Sequence, residues 1–249
     1  MSAIRVRALL LVVFSMLFIG RSPSQRAAQH DDEARAPRPD IPSATAALAR
    51  MPIRFEANVG QHDESIRFVA RRGAAAIALR DDGATFLVQQ RTGPKKRGDI
   101  EHRSNRIVIG LRPDGARTVT PRAEGELATR SSYFFGKDPS TWRTNIPSYA
   151  KVTYPSVLDG VDLVYHGENG ALEYDFVVAP GANVDSIAMN VEGATKMSIT
   201  DEGELRIHTY AGDIVQPPPV VYQRDASGAK RMIASSYRLV GERKIGFQV

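Results

Sequence analysis

The sequence predicts a mainly β chain folded as an antiparallel β-sandwich, either one large sandwich or two packed sandwich subdomains. Three observations carry that expectation. Short apolar runs are separated by turn sequences such as Asp201-Glu202-Gly203 and Asp225-Ala226-Ser227-Gly228, at about the 8–12-residue spacing of sandwiches. An Asn169-Gly170 pair joins two strand patterns in a register that sorts their side chains by polarity. No succession of amphipathic helices alternates with these runs, which argues against a doubly wound nucleotide-binding fold.

At the amino terminus, Met1 to Arg7 carries Arg5 and Arg7 and no acid, and Ala8 to Ile19 is apolar. A basic start followed by a hydrophobic stretch of about 7–15 residues is the outline of a secretory signal peptide. A bilayer span takes about 20 apolar residues. Ser22-Pro23-Ser24 places small residues three and one before a cut, so residues 1–24 read as the signal peptide, with an uncleaved anchor as the alternative. Later apolar runs are short and broken by charge. The mature protein is therefore expected to be secreted, periplasmic or at the cell surface, with no transmembrane span.

The 249 residues carry 33 basic and 28 acidic side chains, a formal charge of +5. Loss of Arg5, Arg7 and Arg21 with the signal leaves 30 against 28, or +2, and a nearly neutral chain gives no reason to expect a nucleic-acid partner. The absence of cysteine excludes disulfides, thiolate metal sites and a cysteine nucleophile.

Residues 25–52 turn to Ala, Arg, Asp, Gln and Pro, with Pro37, Pro39 and Pro42 spaced through them. Such composition buries too little apolar surface to offset its ordering entropy, so this segment reads as a flexible leader. Ser43 to Met51 fits a short helix capped by Ser43 and stopped by Pro52.

Residues 53–249 form the predicted sandwich module, with a possible subdivision near 120–130. Its strands are expected at Ile66–Val69, Ala74–Leu79, Ala84–Gln89, Arg106–Leu111, Tyr149–Tyr154, Val161–His166, Leu172–Val178 and Ser186–Val191. They continue at Lys196–Ile199, Glu204–Thr209, Val220–Gln223, Arg231–Ala234, Ser236–Val240 and Lys244–Val249. Arg91 to Ser104, with Lys95-Lys96-Arg97, reads as a solvated hairpin tip rather than a docking patch for an anionic polymer.

The hairpin turn sets His166 opposite Glu173, Tyr165 opposite Tyr174, Val164 opposite Asp175 and Leu163 opposite Phe176. One face then collects Leu163, Tyr165, Leu172, Tyr174 and Phe176, and the other Asp162, Val164, His166, Glu173, Asp175 and Val177. A one-residue slip would put the aromatic set in water. Asp162, His166, Glu173 and Asp175 are the candidate polar or ligand face, able in kind to bind a cation or to supply a carboxylate pair for acid–base work. The simpler reading is the wet side of a hairpin. No catalytic or metal residue is assigned and no cofactor is expected. Gly-x-Ser-x-Gly, His-Glu-x-x-His, phosphate-loop and dinucleotide motifs are all missing from the sequence.

Several segments carry a family resemblance. They are Phe55-Glu56-Ala57-Asn58-Val59-Gly60-Gln61; Tyr133-Phe134-Phe135-Gly136-Lys137-Asp138-Pro139 with Trp142-Arg143-Thr144-Asn145-Ile146-Pro147; Gly160 to Tyr165; Leu172 to Ala182; Gly203-Glu204-Leu205; and Pro219 to Gln223. Together they resemble the amino-terminal domain of unknown function that precedes SBBP-type (seven-bladed) β-propeller repeats in exported bacterial proteins, over about Ile53 to Val249. Ser131-Ser132 and Leu158-Asp159 depart from its usual residues. The resemblance implies an exported, mostly β module with a carboxy-terminal propeller or another surface protein as partner and no established catalytic residues. The propeller repeats are absent from this sequence.

Read physically, Trp142 is expected to plug the end of the core, and Asn58 and Gln61 to pin a turn about Gly60. Gln216-Pro217-Pro218-Pro219 reads as a stiff connector. His30, His62, His102 and His208 read as surface or satisfied residues. The expected function is a non-catalytic exported structural or interaction module. The alternative is a carbohydrate-binding or carbohydrate-active domain using the Asp162, Glu173 and Asp175 face, with a glycan as ligand. A third reading is a truncated product whose missing final strand leaves an open sheet edge.

Overall fold

The computed structural model describes residues 4–10, 53–90, 105–168, 171–225 and 227–249. The apolar run beyond Leu10, the cut after Ser24, the leader with its short helix, the basic loop and the Asn169-Gly170 turn lie outside the described residues.

The described residues form eighteen strands and two single turns of 3-10 helix. The first half holds β1 (Ile4–Leu10), β2 (Phe55–Ala57), β3 (Ile66–Arg72), β4 (Ala75–Arg80), β5 (Gly83–Gln90), β6 (Asn105–Pro113), β7 (Arg122–Tyr133), β8 (Arg143–Leu158) and β9 (Val161–Glu168). The second holds β10 (Ala171–Val178), β11 (Ala188–Glu192), β12 (Lys196–Ile199), β13 (Leu205–Thr209), β14 (Gly212–Gln216), β15 (Val220–Arg224), β16 (Lys230–Ile233), β17 (Ser236–Gly241) and β18 (Lys244–Gln248). The chain is mainly β and antiparallel, as the sequence predicts. Fifteen strands make one sheet, and β12, β13 and β14 make a second.

Strand β8 organises the large sheet. One edge pairs with β7, Arg122 opposite Thr153 through Tyr133 opposite Arg143. The other edge is shared: Ser148 and Tyr149 pair with β2, and Lys151 to Leu158 pair with β9. Two wings leave that edge, β9-β10-β1-β15-β16 and β2-β3-β4-β5-β6-β11-β18-β17. Aromatic contacts bring them face to face. Phe176 on β10 meets Phe247 on β18 edge-on at 5.9 Å, and Tyr154 Oη on β8 donates to the Arg80 carbonyl at 2.7 Å in the β4–β5 turn.

The core between the wings is a row of rings: Tyr154, Tyr165, Tyr174, Phe176, Phe247 and Tyr237, each within about 6 Å of the next. Aliphatic residues such as Leu79, Ile109, Leu163 and Ile187 fill the remainder. Burying each such side chain contributes on the order of 1.5–3 kcal/mol. Burial drives the Tyr165, Tyr174 and Tyr237 phenols well above the usual tyrosine range, so they act as neutral packing groups.

The hairpin register agrees residue for residue with the sequence reading: Glu173 faces His166, Tyr174 faces Tyr165, Asp175 faces Val164 and Phe176 faces Leu163. Five features were not anticipated: strands β1, β2, β7 and β14, and the length of β8. The residues 120–130, where the sequence admits a subdivision, largely coincide with β7. Trp142 departs from its expected place. It is half-buried, outside the core cluster, and packs edge-on against the exposed Phe134 at 5.1 Å, because the 3-10 turn at Pro139–Thr141 carries it out along the β7–β8 connection.

Candidate functional site

The predicted hairpin face comes together only in part, and it is not wet. Asp175 and Glu173 are 2% and 7% exposed. His166 Nε2 lies 3.3 Å from Asp175 Oδ1 and 4.0 Å from Glu173 Oε2. Arg5 of β1 reaches the other Asp175 oxygen at 3.5 Å. Buried carboxylates are retained in folded proteins when cations and hydrogen bonds accompany them, and a strand from the far end of the chain brings one. Asp162 stands apart. Its Oδ1 accepts from Ser156 N at 2.6 Å, where Ser156 adopts φ +49° and β8 shifts register against β9. Asp162 thus holds a bulge. Among the described residues no group of three or more His, Asp and Glu side chains is arranged to hold a metal ion.

A second constellation lies where two motif segments meet. Short strand β2 bonds to β8 on one side and β3 on the other, which sets Glu56 beside Arg71 of β3 and beneath Tyr133 at the end of β7. Tyr133 Oη donates to Glu56 Oε1 at 2.5 Å, Arg71 Nη1 donates to Tyr133 Oη at 2.8 Å, and Arg71 Nη2 lies 3.2 Å from His62 Nε2. The His62 ring also packs edge-on against Tyr133 at 5.8 Å. Glu56 is 7% exposed.

This network borders an open cleft of about 300 Å³ lined by Arg54, Glu56, Val69, Arg71, Ser131, Ser132 and Tyr133. Phe135 stacks on Tyr133 at 5.9 Å, and Phe134 and Phe135 are 62% and 44% exposed. Burial, then donation to the Glu56 carboxylate, holds the Tyr133 phenol above its ordinary pKa. Burial and the Arg71 cation hold His62 below its ordinary value, against a smaller opposing pull from Glu56. A cleft with a buried carboxylate, two guanidinium groups and hydroxyls, with the exposed Phe135 ring stacked on its Tyr133 wall, is equipped to bind a polar ligand by hydrogen bonds and stacking.

The turn that carries His62 into place is built as the sequence suggests. Asn58 Nδ2 donates to the carbonyls of His62, Asp63 and Ile66, and its Oδ1 accepts from Gly60 N and His62 N. Gln61 accepts from Val59 N and donates to the Ala57 carbonyl. Gly60 has φ +103°, a conformation that calls for glycine, and a Cβ there would also press on the Arg143 guanidinium, 3.0 Å from Nε.

His208 is a satisfied residue, as expected, held by two side-chain partners. Its Nδ1 lies 3.0 Å from Asp213 Oδ1 and its Nε2 3.1 Å from Ser198 Oγ, a serine–histidine–aspartate chain across β12, β13 and β14. The order matches that of a nucleophilic serine. Ser198 is mid-strand, however, opposite Arg206, and not on the sharp turn that exposes such a serine in hydrolases.

Both motif segments are visible in the sequence, but nothing local to either one joins them. Glu56 and Tyr133 are 77 residues apart, and only the pairing of β2 and β7 with β8 juxtaposes them. The available signal was an acidic residue beside Phe55 in an otherwise apolar strand.

No curated protein and no solved structure matches the chain. A family model described as Domain of unknown function (DUF7948) matches residues 55–249. That span begins at β2, includes every element of the cleft except Arg54, and runs to the last residue, so the chain belongs to the DUF7948 family of domains of unknown function.

Proposed function

We propose that the chain is a non-catalytic, exported interaction module of a cell-surface or secreted protein, a domain that stands ahead of SBBP-type propeller repeats. The observation that carries the reading is the destination of the two motif segments. Glu56 of the first segment and Tyr133 of the second line one open cleft, and the exposed Phe135 stacks on Tyr133. Exposed aromatic side chains beside fixed polar groups are what a recognition surface needs. The basic and apolar start of the sequence supports export.

A glycan ligand is the second reading, and the cleft suits it better than the hairpin face. Sugar rings stack on exposed aromatic rings while carboxylate and guanidinium groups bond their hydroxyls, whereas Glu173 and Asp175 are enclosed. Glycan-array binding lost on Phe134→Ala plus Phe135→Ala, and retained on Asp162→Ala plus Asp175→Ala, is the expected pattern. The reverse pattern would return the site to the hairpin.

Export is tested by intact mass of the native protein recovered from periplasm, envelope and medium. A species beginning at Gln25 is expected, and one beginning at Met1 counts against it. The non-catalytic reading is tested with a fluorophosphonate probe. Labelling of Ser198 that His208→Ala abolishes would sink it.

A further inference from the structure

Strand β1 consists of residues that the sequence assigns to a removable segment. Ile4–Leu10 lies between β10 and β15 and bonds to both: Ile4 is opposite Val178 and Gln223, and Val6 is opposite Phe176 and Val221. Val6 is fully buried and Ile4 packs against the core. On the other face Arg5 reaches Asp175. The alternation of aliphatic and cationic residues is thus used on both sides of the sheet.

Neither neighbour is complete without it. Adjacent strands lie about 4.8 Å apart, so removing one leaves a gap of about 9–10 Å, too wide for direct ladder bonds. Most of β10 is buried, and its bare edge would run beside Tyr174 and Phe176. An open apolar edge of this kind is a template for another strand.

We propose that the channel between β10 and β15 is an acceptor site for an extended peptide strand, filled by Ile4–Leu10 in the precursor and by a partner strand of the same chemistry after export. The inference rests on the proposed removal of residues 1–24. The partner strand runs antiparallel to β10. It places a branched aliphatic residue at the Val6 position, against Phe176 and Val221, and a cation at the preceding position, within reach of the enclosed Asp175 carboxylate. Backbone bonds supply affinity, and these two side chains supply selectivity.

The test uses the full chain with a protease site introduced between Gln25 and Pro42. After folding and cutting, the chain is offered a fluorescent peptide of sequence Ile4–Leu10, and the same peptide with Val6→Asp or Arg5→Glu. The parent peptide is expected to displace the resident segment at one per chain, and each substituted peptide to bind at least tenfold more weakly. Retention of the resident segment against excess peptide would overturn the proposal. So would amide-exchange protection of β10 and β15 without peptide, which reports direct closure, or a segment-swapped dimer that excludes peptide. Only the peptides vary, so folding of the chain is not at stake. A native mass beginning at Met1 would overturn occupation by a partner strand, because Ile4–Leu10 would keep the channel filled, and the exchange result distinguishes that outcome from failure of the acceptor site itself.

Discussion

Tyr133 donates a 2.5 Å hydrogen bond to Glu56 across 77 residues of chain. It is the link by which the end of β7 is fastened over β2. The enclosed carboxylate keeps Arg71 nearby, with Nη1 4.0 Å from Glu56 Oε1, but the phenol makes the closer contact. Tyr133→Phe should therefore cost about 1–3 kcal/mol, the range for leaving a buried acceptor without its donor. Glu56→Gln in the same cycle should couple to it by more than about 0.5 kcal/mol. Urea midpoints of the two single variants and the double variant measure the coupling, and additive losses would show that the bond contributes nothing.

His62 should titrate below its ordinary value of 6.5. Burial disfavours the imidazolium first, and the Arg71 guanidinium adds to it. The sign follows. Below pH 6.5 the unfolded chain takes up a proton that the folded chain resists, so the contribution to stability is complete above 6.5 and is lost as pH falls through the lower folded value. Histidine NMR checks the midpoint. Arg71→Gln should move it upward while leaving it below 6.5, since burial persists. A His62 midpoint at or above 6.5 in the unsubstituted chain would refute the arrangement.

The turn between β2 and β3 should be intolerant of change at two positions for different reasons. Asn58→Ala abandons five backbone groups, some of which water can reach, and is expected to cost about 2–3 kcal/mol. Gly60→Ala forces a Cβ toward Arg143 at φ +103°, a strain of about 1–3 kcal/mol. Denaturant unfolding measures both. Loss of the His62–Tyr133 ring contact by NMR should accompany the Asn58 variant, because this turn positions His62.

The hairpin of β9 and β10 was legible because two independent signals coincide there, a turn that fixes register and faces that sort by polarity under that register alone. Other elements carry weaker or competing signals. Most of β7 is exposed and lies along one edge of β8, so it shows no apolar alternation. Ile4-Arg5-Val6-Arg7 does alternate, yet the same residues satisfy the pattern of an export signal, and only the fold reveals the slot. Asp162 is equivalent to Asp175 by face, but the bulge at Ser156 of β8 claims its carboxylate. The cleft depends on three strand pairings at β8, and no local pattern in either motif encodes that meeting.

The end of β6 should give the chain an acid-sensitive tie. Asp114 accepts from Lys244 Nζ at 2.7 Å and from Asn190 Nδ2 at 3.0 Å, so one carboxylate just past β6 ties together its neighbour β11 and the next strand, β18. The Lys244 bond first, then the Asn190 bond, hold Asp114 below the usual aspartate value of 3.8. Stability from this group is present above the unfolded value and is lost as pH falls through the folded one. Both partners are partly exposed, and solvent screening limits the effect to below about 1 kcal/mol. Asp114→Asn should therefore lower the neutral-pH midpoint slightly and flatten its decline below about pH 4. Added salt should weaken the tie in the parent chain more than in the variant. Parallel acid limbs in the two proteins would mean that Lys244 and Asn190 are neighbours of Asp114 without being its energetic partners.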